Sequence, residues 1–260
     1  MSDSLLLEIE DGIAWLTFNR PDRLNALDLA MWQRIPGFVR DAEARQDVRV
    51  LVLRGAGDRA FSAGADITEF QELRSTPEGA RRYDEATDAA EEALAQASKP
   101  TVAMVRGLCI GGGCGLAVAC DLRVVDEQAA FAITPAKIGL VYGFGSTKRV
   151  ADLVGPSRAK LLLFSGEQVD ARRALAIGLV DEVVPGGDLE RRVAQLAATI
   201  GARAQMSIRA AKRMIELLRE GQATETDETR RLRLDSYASD DYREGVQAFL
   251  DKRPPRFTIP

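Results

Sequence analysis

Apolar and polar positions alternate twice at the start of the chain, in LLLEIE (5–10) and IAWLTFN (13–19). Asp11-Gly12 joins the two runs, and a two-residue Asp-Gly link between alternating runs predicts a β-hairpin. VRVLVLRG (48–55) and TVAMVRG (101–107) are short, almost unbroken apolar runs, as expected of strands covered on both faces. LRVVD (122–126) and AFAIT (130–134) read as further strands. Helical spacing alternates with these strands. Asp28 caps a helix to about Ala44, in which Pro36 predicts a kink. Residues 78–97 and 112–119 supply two more helices. Past about residue 145 strand signals nearly vanish. Helical patterns then cover 145–153, 157–164, 170–177, 188–200, 206–220, 224–236 and 239–250, punctuated by Gly155-Pro156, Gly166, Gly178 and Gly186-Gly187. The pattern predicts an α/β part over 1–195 and a helical part over 196–260, with no low-complexity linker between them.

Composition narrows the chemistry. With 260 residues the chain can bury a large core. A formal net charge of -4 gives no bulk attraction for nucleic acid or an anionic membrane. The most apolar stretch, GLCIGGGCGLAVAC (107–120), is too short to span a bilayer, and MSDSLLLEIEDG has no basic leader region. The expectation is a cytoplasmic protein. Cys109, Cys114 and Cys120 are an odd set at a spacing that matches no zinc site, so they read as buried reduced thiols. The chain has no histidine. That removes Ser-His-Asp and Cys-His catalysis and histidine metal ligation together. Carboxylates, hydroxyls, lysines and backbone dipoles remain.

Two glycine clusters stand where strands end. Gly111-Gly112-Gly113 follows a strand and opens a helix, so its unpaired N–H groups lie at the positive end of a helix dipole. Gly111, Gly113 and Leu116 fail the dinucleotide spacing G-x-G-x-x-G, and Gly115-Leu116-Ala117 fails the phosphate-loop ending. Close helix–strand packing and an oxyanion hole for a carbonyl remain as readings. In FSAGADITEFQE (61–72), Asp66 and Glu69 fit a capping box for a helix over 67–74, leaving the N–H groups of Ala63 to Ala65 in a loop of small residues. Two such loops suggest a pair of backbone donors converging on one oxygen.

At these stretches the sequence resembles the enoyl-CoA hydratase/isomerase, or crotonase, superfamily. The resemblance is carried by FNRPDRLNALD (18–28), LRGAGDRAFSAGADITEF (53–70) and KPTVAMVRGLCIGGGCGLAVACDLRVVDEQAAF (99–131), continued by AKLLLFSGEQVDARRALAIGLVDEVV (159–184) and DDYREGVQAFLDKRPPRF (240–257). It implies an α/β fold, a spiral of ββα units with a helical C-terminal trimerisation part, assembled as a homotrimer or homohexamer. It implies an acyl-CoA substrate and neither a metal nor a redox cofactor. By position, the oxyanion donors would be the N–H groups of Ala63 and Gly112. Backbone around Arg23, Leu24, Ala65, Asp66 and Ile67 would hold the CoA adenine and pantetheine, while Phe249 and Lys252 would reach the acyl pocket and CoA phosphates, often across a subunit boundary. Such donors favour the enolate oxygen over the starting carbonyl, which is transition-state stabilisation.

The hydratases of this superfamily use two glutamates, and Gly115 and Pro135 stand in their places. FAITPAKIGLVYG (131–143) is instead similar to the methylmalonyl-CoA decarboxylase branch in its Thr134, Pro135 and Tyr142, although that branch carries a histidine where Ala65 stands. The first expectation is therefore decarboxylation of a short 2-carboxyacyl-CoA, with Thr134 and Tyr142 at the reacting group. The second is hydration or isomerisation of an enoyl-CoA with Glu69 or Glu72 recruited as the acid. A non-catalytic acyl-CoA-binding subunit is the third.

Overall fold

A computed structural model describes residues 3–258. The Asp-Gly hairpin forms as expected: β1 (Leu5–Glu10) pairs antiparallel with β2 (Ile13–Phe18), and Asp11 and Gly12 both take positive φ. The chain then winds so that successive turns give one strand to each of two sheets. The turns are β3 (Val50–Gly55) with β4 (Ala60–Ser62), β5 (Thr101–Val105) with β6 (Leu108–Ile110), and β7 (Leu122–Asp126) with β8 (Ala130–Ala132). The larger sheet has the order β1-β2-β3-β5-β7-β10, closed by β10 (Glu182–Val184), and the smaller has β4-β6-β8-β9, closed by β9 (Val169–Asp170). From β2 onward the large sheet is parallel, so both its faces must be covered.

Alternation along the strands decides which residues face which cover. Leu16, Leu51, Leu53, Ala103 and Val105 point into the main core, built with the helices Leu29–Ala44, Pro77–Ala95 and Gly112–Ala119. Trp15, Val50, Val52, Val102 and Val124 point the other way, onto Leu189, Val193 and Ala197 of the helix Leu189–Gly201. That helix runs across residue 195. Three further helices, Gln205–Arg219, Asp227–Ala238 and Asp240–Leu250, complete the C-terminal part.

The helix expected from Asp28 runs over Leu29–Ala44, and the Asp28 carboxylate accepts from Met31 N at 2.8 Å, a cap that contributes about 1 kcal/mol. The loss of strands after residue 145 is not complete. β9 and β10 supply an edge to each sheet, but at two and three residues they carry too little alternation to read from sequence. All three cysteines are buried and unpaired. No helix of the described residues is long and apolar enough to cross a membrane.

Candidate active site

Two loops meet at the end of the small sheet. The first, 23–27 with 63–67, is built by buried polar groups. Asn25 sits at φ 54° and donates through Nδ2 to Ala56 O at 2.9 Å and Ala60 O at 2.7 Å. Ser62 Oγ donates to Asn25 O at 2.8 Å and accepts from Gly64 N at 3.1 Å. Arg20 Nη2 reaches Asp66 Oδ2 at 2.9 Å. The structure thus brings Arg23, Leu24, Ala65, Asp66 and Ile67 onto one loop pair, joined by the Leu27–Ala65 bridge.

The second loop is the entry to the helix Gly112–Ala119. Gly64 has φ 91°, and a Cβ there would lie 2.7 Å from Ile110 O and 3.1 Å from Gly112 N. Only glycine permits this approach.

The two donors are not the expected pair. Ala63 N donates to Leu24 O at 2.9 Å, so its N–H serves the loop and cannot also hold a ligand. Ala65 N is free. Its bridge to Leu27 uses the neighbouring groups, Leu27 N to Gly64 O and Asp66 N to Leu27 O, both at 2.8 Å. Ala65 N donates to no described acceptor and lies 3.7 Å from where a Gly112 Cβ would stand. Gly112 N opens the helix, where no intrahelical acceptor exists for it. The N–H groups left without a described acceptor where the two loops meet are therefore those of Ala65 and Gly112, and the expected donor Ala63 lies two residues away from this place. Trp32, which sequence reading missed, walls the same spot: a Gly112 Cβ would sit 3.0 Å from its Cζ2.

Asp66 does cap the following turn. Its Oδ1 accepts from Thr68 N at 3.2 Å and Thr68 Oγ1 at 2.6 Å. The Thr68 hydrogen bond, with Arg20 beyond it, holds the carboxyl below its ordinary value. The capping box is absent. Glu69 Oε2 accepts instead from Leu29 N at 2.9 Å and so serves the helix Leu29–Ala44, and burial pushes its carboxyl up. Glu69 is engaged there, and Glu72 is exposed, so neither stands out as the recruited acid. The expected helix over 67–74 is a 3-10 turn, Ile67–Glu69, followed by Phe70–Leu73.

Tyr142 and Thr134 do gather at the second loop. Tyr142 OH donates to Gly111 O at 3.1 Å. A Cβ on Gly111 would lie 3.6 Å from Thr134 Oγ1, and that hydroxyl caps no helix and has no described hydrogen-bond partner. Burial pushes the Tyr142 phenol well above its ordinary value, so it stays protonated at neutral pH. Pro135 opens a short 3-10 turn and offers no acid.

Gly115 is the least expected position. A Cβ there would overlap Glu91 Oε1 outright, and would lie 3.0 Å from Glu91 Cδ and 3.1 Å from Ser146 Oγ. Glu91 comes from the helix Pro77–Ala95 and is only 4% exposed. It accepts a short hydrogen bond from Ser146 Oγ and faces Arg149 Nη1 at 3.3 Å. Burial pushes its carboxyl up to about 7. Sequence reading did not single it out. Its place on the stripe of Tyr83, Ala86, Ala90 and Leu94 was the available signal.

Phe249 and Lys252 lie elsewhere in the single chain. Phe249 is 83% exposed and borders a cavity of about 390 Å³ with Met206, Tyr242 and Phe257, to which neither glycine loop contributes. Lys252 is exposed with φ 53°. No cluster of metal-ligating groups occurs among the described residues.

Comparison with known proteins places the chain in a family. The enoyl-CoA hydratase/isomerase family profile matches residues 8–259. A crotonyl-CoA hydratase of Syntrophomonas wolfei is 34% identical over 259 residues, covering 98% of both chains. A short-chain-enoyl-CoA hydratase of Clostridium acetobutylicum is 32% identical over 255 residues, covering 96% of each. Among solved structures, an enoyl-CoA hydratase/isomerase family protein from Hyphomonas neptunium superposes with a TM-score of 0.97 at 41% identity, covering 100% of this chain and 99% of that one.

Proposed function

The chain belongs to the enoyl-CoA hydratase/isomerase family, and from that premise we propose that it hydrates short 2-enoyl-CoA thioesters through an enolate held by Ala65 N and Gly112 N. The observation that carries this reading is the pair of neighbouring N–H groups with no described acceptor. In hydration the water oxygen bonds to C3, the double-bond electrons pass into the thioester, and its oxygen becomes an enolate. The water proton leaves, and C2 takes one up. Fixed donors that meet the oxygen as it gains charge lower that barrier, and each contributes roughly 3–4 kcal/mol in comparable sites. The protein has no reorganisation to perform, because both donors are set by backbone geometry. The names of the relatives from Syntrophomonas wolfei and Clostridium acetobutylicum support the same reaction.

A second reading has its own observation. Pro135 supplies no acid, while the Thr134 hydroxyl is unbonded beside the loop. Decarboxylation of a 2-carboxyacyl-CoA needs no base: the C–C bond electrons form the enolate, carbon dioxide leaves, and one proton is delivered to C2. Thr134 and Tyr142 would then orient the carboxylate. Loss of the conjugated absorbance of crotonyl-CoA, set against carbon dioxide release from malonyl- and methylmalonyl-CoA, separates the two. Rapid release without hydration sinks the first reading. Binding of CoA thioesters with turnover of none sinks both and leaves a binding subunit. The reading extends to a homotrimer or homohexamer in which Phe249 and Lys252 serve a neighbouring copy's acyl-CoA, supported by the exposure of both residues.

A further inference from the structure

We propose that Glu91, reaching from the helix Pro77–Ala95 into the space left by Gly115, holds the travelling proton of this site and exchanges it through the Ser146 hydroxyl with Tyr142. The proposal rests on the enolate reading above and names a positioning residue for it outside the positions where the superfamily's glutamates fall.

The first support is the fit between Gly115 and Glu91. Gly115 lies inside the helix Gly112–Ala119 and does not have the positive φ that would require glycine. Glycine in a helix interior costs about 1 kcal/mol against alanine. The Glu91 carboxylate explains it, since any side chain at 115 would displace that carboxylate. A carboxylate is therefore present at the place where the chain lacks its own.

The second support is charge. Among the described residues Arg149 is the cation paired with Glu91, and it is shared. Its Nη2 lies 2.6 Å from Glu92 Oε2, closer than its Nη1 lies to Glu91. Glu92 thus satisfies the guanidinium when Glu91 takes up a proton. Asp88 and Glu92, on the same helix, add negative charge beside Glu91. Tyr142 is an electrostatic neighbour of Glu91, and Cys114, from the helix Gly112–Ala119, is a neighbour of Tyr142. A carboxyl that titrates near 7 suits proton exchange at neutral pH.

The third support is the path. Ser146 and Arg149 are three residues apart in the helix Phe144–Val154 and so share a face, and Tyr142 stands two residues before its start. The Ser146 hydroxyl donates to Glu91 and is an electrostatic neighbour of Tyr142, whose own hydroxyl turns from Gly111 O to Ser146 Oγ when the path is used. Tyr142 in turn touches Gly111 O, one residue from the donor Gly112. A phenol held protonated cannot accept a proton unless it passes its own onward. In hydration, the water proton goes to Tyr142 O, the Tyr142 proton to Ser146 Oγ, and the Ser146 proton to Glu91. The reverse sequence returns one proton to C2. One proton is taken and one is returned.

The test uses Glu91→Gln, Ser146→Ala and the double variant Glu91→Ala/Gly115→Glu in the intact protein. Crotonyl-CoA hydration is followed against pH, and exchange of the α-protons of butyryl-CoA with deuterated water is followed alongside. Butyryl-CoA affinity by calorimetry and thermal unfolding report binding and folding. Wild-type kcat should rise with pH through about 7, as ionised Glu91 becomes available. Glu91→Gln should bind butyryl-CoA normally, lose kcat by about 100-fold and show no inflection in that window. Ser146→Ala should lose at least tenfold, and the double variant should recover at least tenfold over Glu91→Ala. A Glu91→Gln protein with wild-type kcat and an unchanged pH profile overturns the proposal, whatever its unfolding temperature. If wild type exchanges α-protons but does not hydrate, the hydration reading falls and Glu91 is judged on the exchange rate alone. Wild type that binds butyryl-CoA yet moves no proton overturns the proposal as well.

Discussion

Ala65 and Ala63 show how finely the site is set at the level of single peptides. Gly64, at φ 91°, breaks the extended path between them, so Ala63 N ties the loop to Leu24 O while Ala65 N is left without a described acceptor. Proline substitution separates them. Ala65→Pro removes a free N–H and should cost 100- to 1,000-fold in kcat, or roughly 3–4 kcal/mol, with little loss of Tm. Ala63→Pro deletes the bond to Leu24 O and should instead lower Tm by several degrees, on the order of 1 kcal/mol. Steady-state kinetics with thermal melts checks both. Asp66 belongs to stability. Its folded pKa is depressed below 3.8, so its contribution is present above that value and is lost as pH falls through the folded one. The Tm deficit of Asp66→Ala, about 1 kcal/mol at pH 7, should therefore shrink towards pH 2. The sequence made the motif legible because Gly64 and Asp66 have few other uses. It could not choose between Ala63 and Ala65, since that choice depends on which strand the loop bridges. Nor could it reveal Glu91, whose meaning arises only when Gly115 is brought against it.

Among elements, the helices Pro77–Ala95, Gly112–Ala119 and Phe144–Val154 converge on Glu91. The cost of burying that carboxyl has a measurable sign. The unfolded carboxyl titrates near 4.5 and the folded one near 7. Between these values the folded state binds the proton more tightly, so the contribution of Glu91 to stability is fullest below 4.5, falls as pH rises to about 7 and is level above. The loss is on the order of 3 kcal/mol. Urea midpoints of Glu91→Gln should therefore gain on wild type between pH 5 and pH 8. The helix Gly112–Ala119 is also seated by Gly113, where a Cβ would stand 2.6 Å from Ser62 O and 2.8 Å from Ser62 Cβ. Gly113→Ala should push the helix off β4, lowering Tm and kcat together, as unfolding and kinetic assays on the same variant would show. The long helices were legible because several turns repeat one apolar face. β4 and β6, at three residues each, were not, because strands that short hold barely one alternation. Their pairing is imposed by the winding of the chain.

For the molecule as a whole, the apolar residues left outside matter most. Phe249 and Leu250 are 83% and 68% exposed at the end of the last helix. Covering such side chains is favourable by about 1.5–3 kcal/mol each. If the C-terminal part assembles trimers, sedimentation should give three or six chain masses, and Phe249→Asp with Leu250→Asp should reduce this to one. The interior has a different consequence. Cys109, Cys114 and Cys120 lie along the apolar run that leads into and through the helix Gly112–Ala119, and each is shielded from solvent. Burial pushes Cys120 up to about 12 and Cys109 well above its ordinary value. A thiol-specific reagent needs access as well as thiolate, and it should find no access to the three while this helix is seated. Labelling of all three should follow the opening of the core. The chain thereby contains its own clock for the lifetime of the folded site, readable from mass increments without any substrate.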